Sequence, residues 1–211
     1  MLGISLLLVG IVLVHNGVLL MSKVKREKTN DDGTTATELV PLIAASPKSY
    51  AFFNAIVGGF LVIGNFVMLG FHAPLDLAGG ALPRYMVFNN LAAGFVFGIT
   101  YLFIAGNLLF KLDMRPFGLF SIGASIFALT MTVYNFYQLG LWGIADGETF
   151  LVLGILWLIW FVLWLTGVLQ FICKIKAMEK IFPWASIAIG IVGAFVPAIM
   201  LLLGVRPFGF L

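Results

Sequence analysis

Trp157, Trp160 and Trp164 are separated by three and four residues, which sets their indoles along one face of a single helix. An indole offers a flat apolar ring and one N–H donor, which a solute passing along a pore would satisfy. Phe97 and Tyr101, four apart, form a second aromatic pair that adds a hydroxyl. Acid–base or covalent chemistry has no comparable support: there is no Ser/His/Asp set, metal-ligand cluster, Walker loop or dinucleotide fingerprint. Neither an enzyme nor a bound cofactor or metal is expected. The competing reading of the three indoles is a packing stripe. Against it, an indole N–H in a dry interior needs an acceptor.

The elements that position these rings follow from where the charges are not. Six stretches carry no Lys, Arg, Asp or Glu: Leu2 to Ser22, Ser49 to Leu75, Tyr85 to Phe110, Pro116 to Ala145, Thr149 to Cys173 and Ile181 to Val205. Each reaches the roughly 20 residues a helix needs to cross hydrocarbon. The fold class is therefore an all-α integral membrane protein, one domain over 1–211, with helices at about 2–22, 49–72, 86–110, 116–139, 149–173 and 182–205. Composition agrees: 62% of residues are hydrophobic, 10% are charged and the mean hydropathy is +1.11. Trp160 falls about twelve residues into its helix, near mid-depth, where tryptophan is unusual. Ion pumps and proton-coupled carriers keep an ionisable partner at membrane depth. In these stretches only His15 lies well inside one.

Charge placement sets the orientation. Counting alternate gaps, Lys23, Lys25, Arg26, Lys28, Lys48, Lys111, Arg115, Lys174, Lys176 and Lys180 fall on one side, and only Arg84 and Arg206 on the other. That ten-to-two split predicts both termini outside and the ten basic residues in the cytoplasm. These residues read as topology anchors in a bilayer rather than as a nucleic-acid site. The first stretch has no basic segment before it and four basic residues after it, so it reads as a retained helix and not a cleaved leader.

Residues 23–48 form an inserted cytoplasmic loop, flexible around Thr29-Asn30-Asp31-Asp32-Gly33. The lone Cys173 excludes an intrachain disulfide and reads as inert. Small residues four apart (Ala55 and Gly59, Gly94 and Gly98, Ser121 and Ser125, Gly190 and Ala194) predict close helix packing. Pro116 and Pro183 suit first turns, whereas Pro197 lies deep in the last helix and should kink it or free a carbonyl. His15 and Asn16 either offer hydrogen bonds at the cytoplasmic mouth or hold helices together. Asn54, Asn65, Asn107 and Asn135 carry the same two readings.

Several segments, in order along the chain, are similar to the AmiS/UreI family of bacterial urea and short-chain amide channels. They are Met1-Leu2-Gly3, Val9-Gly10-Ile11-Val12-Leu13 with Asn16-Gly17, Val57-Gly58-Gly59, and Phe97-Gly98-Ile99-Thr100-Tyr101-Leu102. Asp113 with Arg115-Pro116, the run from Trp157 to Thr166, and Pro183-Trp184 complete the set. The resemblance implies a homo-hexamer in the bacterial inner membrane with one pore per protomer, and a cytoplasmic amidase or urease as its client. It implies one constriction of Trp160, Trp164, Phe97 and Tyr101, with Leu6, Val9 and Leu13 lining the pore beside it and Trp157 further along the path. Departures matter too. The first external loop offers only His72 and Asp76, and Ile189 stands where acid-activated members carry a carboxylate, so flux near neutral pH and the amide branch are expected. The alternative is a secondary transporter of a small neutral solute, whose three-helix halves would be inverted repeats.

Overall fold

The computed structural model describes residues 2–21, 23–29, 35–41, 46–76 and 81–203. Six spanning helices account for most of them. They are α1 (Leu2–Met21), α2 (Pro47–Asp76), α3 (Ala81–Phe110), α4 (Arg115–Leu141), α5 (Phe150–Phe171) and α6 (Met178–Leu202). The helical run from Arg115 to Phe171 is 57 residues long and is interrupted at Gly143, where φ is 74° and ψ is 173°. A straight helix of that length would span about 86 Å, close to three hydrocarbon cores. Gly143, free of a Cβ, takes the left-handed conformation that ends α4 and lets α5 return.

The helices pack in antiparallel pairs seated on glycine. Gly10 and Gly17 of α1 face Gly190 and Pro183 of α6, and a Cβ on Gly10 would stand 2.7 Å from the backbone nitrogen of Phe195. Gly58 of α2 meets the backbone of Gly98 on α3, and Gly94 leaves room for the side chain of Asn65. Gly118 lies against Ile172, Gly167 against Ser121 and Gly154 against Phe136, which closes α4 on α5. Of the four small-residue pairs read from the sequence, the one at Ala55 and Gly59 is displaced by a residue. Gly59 faces open space, and Gly58 makes the contact.

Hydrocarbon supplies no hydrogen bonds, so polar side chains must find partners inside the bundle. The amides of Asn16 and Asn54 bond each other reciprocally, both at 2.8 Å, and tie α1 to α2. Of the two readings of Asn16, the structure therefore supports the joining of helices. His15 lies against the rings of Tyr50 and Phe53, with centroids 4.3 and 4.9 Å away. Thr100, Ser121, Thr132, Asn135 and Ser186 each donate to the carbonyl four residues earlier in their own helix. Large apolar groups such as Phe52, Ile63, Phe66 and Ile126 are more than 60% exposed, as lipid-facing groups should be.

Several local features differ from the sequence reading. Residues 23–48 are not a wholly irregular loop: β1 (Lys23–Thr29) and β2 (Thr35–Pro41) pair antiparallel, with Arg26 opposite Glu38 and Val24 opposite Val40. Val24, Thr29, Thr35, Thr37 and Val40 are residue types that favour strands. The centre of that loop, 30–34, lies outside the described residues, as do 77–80. Helix α6 begins at Met178, so Pro183 sits in its second turn rather than its first. It also contains a π-turn, Ile191–Phe195, just before Pro197.

Replacing Gly10 by Ala should force α1 and α6 apart and cost about 1–3 kcal/mol, the usual range for overpacking. Gly59→Ala, in open space, should be neutral or stabilising. Thermal unfolding of the two variants in detergent checks the contrast.

Candidate functional site

The aromatic pair of α3 and the indoles of α5 meet at the middle of the bundle. Phe97 touches Trp160 edge-on, with centroids 5.1 Å apart at 84°, and lies tilted against Trp164 at 4.9 Å. Tyr101 stacks below Phe97 at 6.3 Å. Leu6, Val9 and Leu13 form the facing wall from α1, and all of these side chains are buried. Tyr101 is fixed to that wall, because its hydroxyl donates to the Val9 carbonyl at 3.2 Å.

The acceptor for Trp160 comes from α6. Its indole N–H donates to the Gly193 carbonyl at 3.3 Å. In helical register the donor for that carbonyl would be residue 197, and Pro197 has no N–H to give. The π-turn shifts neighbouring bonds, with Val196 N–H reaching Ile191. Gly193 is itself buried, and a Cβ there would stand 3.0 Å from Ile159. Pro197 thus leaves the Gly193 carbonyl without its α-helical donor, and the central indole takes that place.

Two cavities meet at this cluster. The larger, about 320 Å³, has Leu13, Phe97, Tyr101 and Trp164 at its inner end. It extends past Ile104, Asn107 and Phe171 to Leu112 and Met114, in the turn between α3 and α4. Leu112 is 56% exposed, so this end reaches the surface beside Lys111 and Arg115. The smaller, about 10 Å³, is lined by Ser5, Leu6, Val9, Ala93, Gly94, Phe97 and Trp160. Phe97 borders both and partitions them. The lining residues of both cavities carry no charge.

The structure therefore brings together seven of the eight residues singled out from sequence. Trp160, Trp164, Phe97, Tyr101, Leu6, Val9 and Leu13 share one locus at two depths, with Leu13 and Trp164 on the large side and Leu6, Val9 and Trp160 on the small. Trp157 stands apart from the lining. It packs edge-on against Phe127 at 5.2 Å and Trp160 at 5.0 Å, as a support behind the cluster. Sequence reasoning missed Ile104, Phe117 and Phe182 as lining residues and left Asn107 among generic polar groups. The periodic signal was present for Ile104, three residues beyond Tyr101 on the same face. At the surface end, Asp113 caps the start of α4 by accepting from the Arg115 backbone at 2.9 Å and pairing with its guanidinium. Those bonds hold the Asp113 carboxyl below its usual range.

Six helices able to span a bilayer around uncharged internal cavities define a multi-pass membrane protein. Residues 36–205 match the model described as AmiS/UreI family transporter, and the chain belongs to that family. It is 35% identical over 214 aligned residues to the acid-activated urea channel of Helicobacter pylori, covering 95% of this chain and 97% of that one. It is 27% identical to the "Putative amidate substrates transporter protein" of Mycolicibacterium smegmatis, covering 96% of this chain and 76% of that one. Its fold matches the cryo-EM structure of the H. pylori urea channel in a closed state, with TM-score 0.72, 33% identity and coverage of 96% and 98%. The crystal structure of that channel matches with TM-score 0.70, 30% identity and coverage of 97% and 98%. These relatives are transport proteins rather than enzymes, and so is this chain.

Trp160→Phe keeps an aromatic ring but removes the donor and part of the buried volume, and should lower stability by about 1–3 kcal/mol. In a Pro197→Ala background, where a backbone N–H competes for Gly193, the same change should cost less. A double-mutant cycle on thermal unfolding reads the coupling directly.

Proposed function

We propose that this protein is a passive channel for urea and short-chain primary amides, conducting through the lumen of each protomer past the Phe97, Tyr101, Trp160 and Trp164 constriction. The observation that carries this reading is the uncharged aromatic partition between two cavities lined by one chain. The names of its urea-channel and amidate-transporter relatives point to the same solutes. A flat neutral amide exchanges water for ring faces and keeps a few hydrogen bonds. An ion cannot: a charge at membrane depth costs at least about 2.5–3.5 kcal/mol, and a tight apolar ring holds no carbonyl cage to offset it. About 3 kcal/mol in the barrier slows passage by more than about a hundredfold.

Under this reading the large cavity is the cytoplasmic vestibule. Its lining reaches Leu112 and Met114, next in sequence to Lys111 and Arg115, and the excess of basic residues on that side supports both termini outside. The β1–β2 insertion then faces the cytoplasm. We assign the protein to the bacterial inner membrane and to a homo-hexamer on the family resemblance, with an amidase or urease as the enzyme it feeds. Its pore needs no second copy to close it, because the lining comes from α1, α3, α4, α5 and α6 of a single chain.

We further propose that flux persists at neutral pH, as it would in the amide branch. Ile189 packs against the core where a carboxylate would stand in acid-activated members, and lies beside Gly193. The Asp113–Arg115 pair does not titrate in the relevant window. Its carboxyl is lowered by its bonds to Arg115, so the pair is intact above the ordinary carboxylate range and is lost only as pH falls through the lowered value.

Proteoliposomes should take up labelled urea and acetamide at pH 5 and pH 7 at rates within about threefold, without trans-stimulation. Leu13→Trp, which fills the slot, should cut both at least about tenfold while leaving the protein folded. Strong activation in acid alone would overturn the neutral-pH reading, and trans-stimulation would mark a carrier.

A further inference from the structure

The large cavity is roomier and more apolar than the passage of a small amide requires. At about 320 Å³ it falls within the range of small-molecule binding sites, about 300–1,000 Å³. On the far side of Phe97 the space is about 10 Å³, the lower limit for one water. A molecule much wider than urea can therefore enter on one side of the partition and has no room beyond it. Widening the partition would break bonds, because Tyr101 is held to Val9 and Trp160 to Gly193.

Its walls supply rings and few hydrogen bonds. Phe97, Tyr101 and Trp164 stand at the inner end, with the Phe97 and Trp164 centroids 4.9 Å apart. Phe117, Phe171 and Phe182 line it from α4, α5 and α6, joined edge-on at 5.6 and 5.8 Å. The Thr100, Ser121 and Ser186 hydroxyls donate within their own helices, the Tyr101 hydroxyl donates to Val9, and Asn16 is paired with Asn54. The carboxamide nitrogen and oxygen of Asn107 are both sealed from the cavity. A buried water needs two to four polar partners. Water is poorly held in such a space, and an apolar guest displaces it with a gain in free energy.

We infer that the large cavity is a binding site for uncharged one-ring aromatic molecules, and that a bound guest blocks the pore. The blocking half of this inference rests on the channel reading above. Aromatic rings prefer offset or edge-to-face contact with other rings, and a planar guest here meets ring faces and ring edges on its way to the partition. A charged group on the same guest would lose its hydration without gaining a counter-ion, since the lining carries no charge. Guest and permeant occupy one lumen, so the block needs no change of shape in the protein. With the basic side inward, the guest arrives from the cytoplasm.

Benzamide is the probe, with benzoate as its charged counterpart and cyclohexanecarboxamide as its non-aromatic one. Binding is read from the shift in thermal unfolding in detergent, and block from urea uptake by proteoliposomes. Saturating benzamide should raise the unfolding temperature and cut urea uptake about tenfold. Benzoate should do neither, and cyclohexanecarboxamide should need a concentration about fivefold higher. Leu108→Trp fills the cavity seven residues beyond Tyr101 on α3, and should weaken benzamide at least about tenfold in both assays, each read against the variant's own baseline. Should that variant fail to fold, Phe182→Leu decides: it removes one ring and should narrow the preference for benzamide over cyclohexanecarboxamide. Equal potency of benzoate, undiminished sensitivity of Leu108→Trp, or benzamide that neither shifts unfolding nor slows urea would overturn the inference. Wild-type protein that binds benzamide but passes no urea would support the site and sink the channel reading instead.

Discussion

The bond from the Trp160 indole to the Gly193 carbonyl is the interaction on which the rest of the site depends. It exists because Pro197 cannot donate and because Gly193 has no side chain in the way. With Trp160 held by its edge, Phe97 has a face and an edge to pack against, and Trp164 completes the other side. Tyr101 then closes the set by bonding α1 at Val9. Two bonds between side chain and backbone thus lock rings on α3 and α5 to the backbones of α1 and α6. In a medium where apolar contact gives no drive toward association, such bonds and close packing set the geometry.

Selection follows from how little this route offers. The rings and aliphatic wall present no charge, and the Thr100, Ser121 and Ser186 hydroxyls on the large cavity donate within their own helices. A solute must leave most of its hydration behind. Neutral planar molecules lose only a few hydrogen bonds and regain ring contact, whereas an ion loses a solvation energy that no group here returns.

Much of this was legible in the sequence, for identifiable reasons. Charge exclusion is a long-range pattern, so the six spans emerged within a few residues, and helical spacing grouped Trp160 with Trp164 and Phe97 with Tyr101. The glycine pairs gave most of the packing surfaces, though periodicity alone did not tell Gly58 from Gly59. Pro197 announced a freed carbonyl, but its acceptor role for an indole 33 positions away needed coordinates. The same holds for Trp157, whose place behind the cluster depends on Phe127 of α4. Asn16 and Asn107 look alike in sequence. Only the presence of Asn54 opposite one, and of no partner opposite the other, separates them. The β1–β2 pairing was hidden by charge and by the Asn-Asp-Asp-Gly composition of the sequence between the two strands.

Cysteine accessibility tests the central claim most directly. In a Cys173→Ser background, which removes the exposed native thiol, Ile104→Cys places one thiol on the wall of the large cavity and Ile126→Cys places one on the outward face. A charged methanethiosulfonate reagent applied to reconstituted protein should abolish urea and acetamide flux in the first variant and leave the second unchanged. Undiminished flux through fully labelled Ile104→Cys protein, or a block produced at Ile126→Cys, would contradict a solute path inside the protomer.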